Sequence, residues 1–407
     1  MRICHDSTFL NNIHPSKHSS QMKETRMINS IALYLNLENT LIPREIFPDL
    51  IGSGQESYFT AIKNMDSRVC LVAPAKDWIL LAISNQKLID ILKKKGVVIF
   101  PTLFSHVFPD TFPETLEAQY ALSSKILKKL FERIFWHGII PENAMSSIIA
   151  PYAVKHWDGT ILSVGHNNLR GLQFGYYDLE TRANCRLPLR VIGNTVARLK
   201  YMRMYRSEIE PSEVFESMGT NNPIYSCLFD FERPWSNIVY YPHSGKSQAR
   251  MDIWQRFHRG LASKNVASWE LPDIPNRRPL FLNEADRSMW ENKESSWLVD
   301  IQRETVTQCI GRGDYFELAA LCASSCMPPR VLTRFMRNDS FPSVYGEKKG
   351  IVDLVGDVSK VKELLFICKN IQQKRRVDYG VEFLPKGERL YLELLHKALI
   401  WTEQHIL

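Results

Sequence analysis

Arg330, Arg334 and Arg337 stand at i, i+4 and i+7 in "PPRVLTRFMRND", a spacing that stacks three cations along one face of a helix. Val331, Leu332, Phe335 and Met336 fall on the other side, so an apolar seam would anchor the helix while long donors, with Thr333 among them, reach phosphates and guanine edges. Lys348 and Lys349 follow at the tip of a turn-rich segment, "FPSVYGEKKGIVDLV", that reads as a two-stranded wing. Upstream, Thr181–Ser207 holds seven basic residues (Arg182, Arg186, Arg190, Arg198, Lys200, Arg203, Arg206) and no acid. Such a run suits neutralisation of a phosphate backbone, and Arg198, Lys200, Arg203 and Arg206 are the residues expected to do it. The net charge of +7 agrees with a polyanion partner without demanding one.

A second candidate chemistry sits at the start of the chain. "IALYLNLENTLIP" (31–43) reads as a buried strand that breaks into a polar turn, where a metal-holding carboxylate would be placed, but the position is Asn36, with Glu38 nearby. A working metal site would need Glu38 together with Asp49 and Asp77. Other constellations are weaker. "PHSGKS" lacks the glycine a phosphate loop needs, since Tyr240 stands there. His156 with Asp158, and His166, have spacings that chance supplies readily, and Cys322 and Cys326 read as small buried residues. No catalytic residue, metal ligand or cofactor site is assigned.

The elements that must position these residues come in three blocks. Residues 1–26 read as a loose polar tail, with the fold expected to begin at Met27. From 27 to 140, strand and helix signals alternate: the opening strand, a helix within Gln55–Met65, "RVCLVAP", "SNQKLIDILKKKG" closed by Gly96, "VVIFP", and a long helix from Pro113 to His137 ended by Gly138. Strand–helix–strand order predicts parallel pairing and a Rossmann-like α/β layer. From 141 to 300 strands such as "TILSV", "LQFGYYDL", "IYSCLFDF" and "NIVYYP" mix with helices at Val196–Arg206 and Ala249–Leu261, giving a mixed α/β basic domain. Residues 301–407 form a helical block around the arginine helix. The fold class is thus mixed α/β. Apolar runs are too short to cross a membrane, and eight cysteines without a CxxC pair fit a reduced, cytoplasmic protein.

Two resemblances follow from these residues. The order helix, turn, helix, "FP", basic hairpin, helix over 314–365 resembles the winged helix-turn-helix domains of excisionases and MerR-type regulators. By that resemblance Arg330, Thr333, Arg334 and Arg337 would contact the major groove and Lys348 and Lys349 the backbone of double-stranded DNA. The segment "IALYLNLENTLI" with "DILKKKGVVIFP" resembles the front half of NYN/PIN-like nucleases, and more loosely the haloacid-dehalogenase phosphatases, with Asn36 departing from their first aspartate. The expected function is a non-enzymatic DNA-binding protein, an accessory or regulatory factor of a mobile element with possible protein partners. The alternatives are a metal-dependent nuclease or phosphoryl-transfer enzyme, or a subunit of a nucleoprotein assembly.

Overall fold

A computed structural model describes residues 27–28, 30–35, 58–163, 175–180, 185–193, 195–219, 226–231, 245–267, 269, 277–281, 397–398, 401–402 and 404–406. The tail, Asn36, Glu38, Asp49, His166 and the whole stretch expected to form the winged domain, Arg330 to Lys349 included, lie outside them.

The first block keeps the expected parallel strands and adds a helix, over 75–84, that its pattern did not announce. Ile31–Tyr34 (β2, after a short β1 at Met27–Ile28) is buried along its full length, as a strand covered on both faces must be. It pairs in parallel with Cys70–Val72 (β3), which pairs in parallel with Ile99–Phe100 (β4). Between them run the helices Tyr58–Lys63 (α1), Ala75–Ser84 (α2) and Gln86–Lys95 (α3). The glycine stop of α3 works as read, and a cap at its start adds to it. Asn85 accepts the Leu88 N–H at 3.2 Å, and Gly96 closes the helix in the left-handed conformation at φ 67°.

The long helix departs from its expectation. Leu116–Leu130 (α4) is preceded by a 3-10 turn at Pro113–Thr115 and stops at Phe131, which is already extended. The apolar positions beyond, Ile134 and Phe135, serve a strand approach instead: the Phe135 N–H donates to Ile99 C=O at 2.9 Å and leads into His137–Ile139 (β5). Helical periodicity and a strand's entry look alike over six residues.

That approach joins the two main sheets. Ile139 N–H donates to Pro101 C=O at 2.9 Å, so β5 continues the parallel order beyond β4. After the helix Ala150–His156 (α5), Gly159–Ser163 (β6) pairs with β5 and with Arg186–Ile192 (β8), both in parallel, and Gly175–Glu180 (β7) pairs antiparallel with β8. Thr195–Tyr205 (α6) and Pro211–Ser217 (α7) lead to Cys227–Asp230 (β9), which returns to pair in parallel with β2. Gly245–Ala262 (α8), Asn265–Val266 (β10, on β1) and Arg278–Phe281 (β11, on β7) complete the described elements. The strand order is therefore β9-β2-β3-β4-β5-β6-β8 in parallel, with β7 and β11 beyond β8. Mixed α/β with parallel sheets holds, and β9 crosses the boundary expected at residue 140.

The parallel strands also share one interior. Ala32, Tyr34, Cys70, Val72, Phe100, Ile139, Ile161, Ile192 and Leu228 form one cluster with Trp269, drawing a side chain from each of the seven parallel strands. Strands β9 and β8, at opposite ends of the order, reach the same cluster only if the sheet curls, and Arg190 of β8 spans the seam, donating to Ser226 Oγ at 3.3 Å. The result is a barrel whose interior is filled by alternate residues of each strand. The other residues of the strands, such as Leu33, Leu71, Val191 and Phe229, pack outward against the helices in a second, larger core.

Candidate active site

All seven strands run the same way, so their C-terminal ends open on one mouth, where parallel barrels assemble active sites. The strand ends turn away abruptly. Proline follows β3 at Pro74, β4 at Pro101 and β5 at Pro141.

The turn after β5 is the most strained. Glu142 and Asn143 take φ of 55° and 51° in succession, left-handed values that Asn tolerates and Glu does not favour. Neighbouring bonds hold the turn: Asn143 Oδ1 accepts the Ser163 N–H at the end of β6 at 3.0 Å, and the Asn143 N–H donates to Ile140 C=O at 3.0 Å. Ser146 Oγ then donates to Asp110 Oδ1 at 2.5 Å, fastening the far side of the turn to the loop after β4. The Glu142 side chain stays 26% exposed.

Three more groups continue across that mouth. His106, buried in the loop after β4, stands edge-on to Tyr34 with ring centroids 5.3 Å apart, and its Nδ1 lies 3.8 Å from Glu142 Oε1. Burial, and then the charge of Lys76, push its pKa down to about 3, so it is a neutral imidazole at ordinary pH. Tyr34 Oη lies 3.5 Å from Thr102 Oγ1. Asp230, last residue of β9, is the register partner of Tyr34. Leu228 faces the barrel interior and Phe229 the outer core, so alternation turns Asp230 inward. Tyr201 Oη donates to its backbone C=O at 2.9 Å and fixes the strand end. Asp230, Tyr34, His106 and Glu142 thus follow one another across the mouth, with a carboxylate at each side.

Sequence reading missed these groups. Glu142 lies just past the supposed helix end, and Asp230 closes a strand whose partner was not known. A usable signal was present in the recurring pattern of a short apolar strand running straight into proline or an acid: "LVAP", "VIFP", "GIIPE", "CLFD".

The residues that were singled out fare differently. Asp77 is fully buried in the first turn of α2, while Glu38 and Asp49 lie outside the described residues, and no group of three or more His, Cys, Asp or Glu fit to hold a metal occurs among the described residues. His156 bonds Glu117 at 3.3 Å on the surface. In α6, Lys200 donates to Glu213 C=O at 3.1 Å, Arg203 pairs with Glu208 at 3.2 Å, Arg198 is half-buried, and Arg203 and Arg206 are both exposed near the helix end. Arg190 is sealed inside the barrel. The acid-free stretch meets acids from both sides of it in the chain, Asp178 at Arg186 and Glu208 at Arg203.

No family model matches the sequence, and no characterised protein matches it in sequence. Similar solved structures include the 4-alpha-glucanotransferase of Thermococcus litoralis, 14% identical with a TM-score of 0.44 over 70% of this chain and 46% of that one. The chain thus spans less than half the length of that enzyme. A GH57-type branching enzyme from Pyrococcus horikoshii is 11% identical, with a TM-score of 0.40 over 93% and 95% of the two chains. An exo-type maltose-forming amylase from Pyrococcus sp. ST04 is 10% identical, with a TM-score of 0.49 over 93% and 75%. These are enzymes and not DNA-binding proteins, and in α6 Lys200 and Arg203 bond neighbours within the chain. The expectation of a non-enzymatic, winged-helix DNA-binding factor of a mobile element is corrected accordingly.

Proposed function

We propose that this chain is a carbohydrate-active enzyme that works on a glycosidic bond, with Glu142 and Asp230 as its paired carboxylates. The observation that carries the reading is their convergence on the C-terminal mouth of a parallel barrel, from different strands, on either side of Tyr34 and a neutral His106. Cleavage of a glycosidic bond needs two carboxyl groups, one giving a proton to the leaving oxygen and the other acting as base or nucleophile. The strained turn under Glu142 is the kind of backbone that persists where a side chain must be aimed. A neutral imidazole at its flank can donate to or accept from a sugar hydroxyl without neutralising the carboxylate.

The test is direct. The purified full chain is incubated with maltoheptaose and soluble starch, α-glucans being the first choice because the similar structures include an amylase, and products are followed by chromatography. Shortened or transferred chains that vanish in both Glu142→Gln and Asp230→Asn support the reading. Product formation undiminished in either variant removes that carboxylate from the mechanism, and no turnover on a panel of α- and β-linked glycans rejects the function.

A further inference from the structure

Residues 101–109, between β4 and the 3-10 turn before α4, are all buried although they form no regular element for most of their length. A loop inside a protein must place every backbone polar group against a partner. Here two helices supply them. From α2, the Ala75 N–H donates to Leu103 C=O at 3.2 Å and the Lys76 N–H to Phe104 C=O at 3.0 Å. From α4, Ser123 Oγ donates to Thr102 C=O, Gln119 C=O accepts the Phe104 N–H at 3.2 Å, and Gln119 Oε1 accepts the Ser105 N–H at 2.9 Å. Gln119, Ser123, Thr102 and Ser105 are all fully buried.

The loop carries two of the groups at the mouth. Thr102 meets the Tyr34 hydroxyl, and His106 follows directly on the Ser105 amide that Gln119 holds. Two consecutive residues, Phe104 and Ser105, are thus fixed by one side chain and its own carbonyl, immediately before the imidazole. The loop's backbone is held by both helices.

We infer that Gln119, seconded by Ser123, is a positioning residue: through the Ser105 amide it fixes where His106 stands between Tyr34 and Glu142. The inference rests on the active-site reading above for its catalytic consequence, but the placement of His106 is open to measurement without any substrate. Gln119→Met keeps the side chain's bulk and removes the acceptor, whereas Gln119→Glu keeps an oxygen at the same place.

The experiment uses the full chain labelled with 15N in histidine, with the His106 signals assigned by their loss in His106→Gln. At neutral pH the Nδ1 and Nε2 shifts report tautomer and hydrogen bonding. In Gln119→Met these shifts are expected to move and kcat to fall about 10- to 100-fold with KM little changed, because misplacing a reacting-site group acts on the chemical step. Gln119→Glu is expected to bring both back toward wild type. Where Gln119→Met fails to fold, Ser123→Ala, which removes one hydroxyl, is expected to give the smaller version of the same shift. Unmoved His106 signals in a folded Gln119→Met or Ser123→Ala protein overturn the inference, as does a loss that Gln119→Glu leaves in place. Shifted signals in a protein that turns over no glycan uphold the positioning role and sink the function reading alone.

Discussion

The two ends of the barrel use polar groups in opposite ways. Toward the N-terminal end Trp269 fills the interior: its indole stands edge-on to Phe100 at 4.8 Å and its N–H donates to Ile31 C=O at 3.1 Å. The Arg190 guanidinium lies 5.1 Å from the Trp269 ring centre and bonds Ser226 across the seam. Aromatic and cation are there to close a gap. At the C-terminal end Glu142, Asp230, His106 and Tyr34 gather over a strained turn. A barrel with this division keeps its stability at one end and its chemistry at the other.

The largest expected effect breaks one end and spares the other. Glu142→Gln or Asp230→Asn should lower turnover of a cleaved glycan about 10²- to 10⁴-fold, the range that positioned acid–base groups contribute. Both carboxylates are partly exposed, so the thermal midpoint should hardly move. Trp269→Ala is the counterpart. Removing a buried indole costs about 3–5 kcal/mol, read as a drop in the urea midpoint, while activity per folded molecule should persist. Turnover lost in Trp269→Ala at full folding would show that the two ends are not separate in function.

How far this division could be read beforehand follows from which signals are local. Gly96 and the strand–helix alternation before it act within a few residues, and the first sheet and α3 formed as read. Curling was invisible, because the alternation of Leu228 inward and Phe229 outward acquires meaning only once β9 lies beside β2, almost two hundred residues away in the chain. Glu142 was hidden for a related reason: Ile134 and Phe135 keep helical spacing with the apolar residues of α4 while their backbone is drawn to Ile99. The charge-rich stretch from Thr181 misled by the same route. The carboxylates its arginines meet, Asp178 for Arg186 and Glu208 for Arg203, come from either side of it in the chain.

A third prediction concerns pH and sharpens the picture of the mouth. His106 is buried and neutral, with a pKa pushed from 6.5 to about 3. The unfolded chain therefore binds more protons than the folded one between those values, and stability rises with pH across that window. It is fully present above pH 6.5 and lost as the pH falls toward 3. Burial acts in the same direction on His258, to about 3, and on His137, to about 4, the latter with help from Arg190 and Arg277. Urea midpoints measured near pH 4.5 and pH 7.5 should differ in the wild type, and the difference should narrow in His106→Gln. An unchanged difference would show that His106 is protonated or solvated in the fold.

The smallest expected effect tests whether the basic surface contributes to the fold at all. Arg256 of α8 reaches Glu210 at 2.5 Å, and Arg203 of α6 reaches Glu208, in pairs whose members are each close to half exposed. Solvent screens such pairs, and holding two long side chains in one geometry costs entropy, so each is worth about 0–1 kcal/mol. Arg256→Ala and Arg203→Ala should shift the urea midpoint by no more than that, with turnover unchanged. Glu210, however, also serves α7, where it caps the helix and its backbone N–H meets Glu213 Oε1 at 3.4 Å. Glu210→Ala should therefore cost more than Arg256→Ala, since it removes a cap as well as a charge. Equal losses in the two variants would mean that the ion pair, rather than the cap, is what Glu210 provides, and the basic surface would then have a structural role greater than its exposure implies.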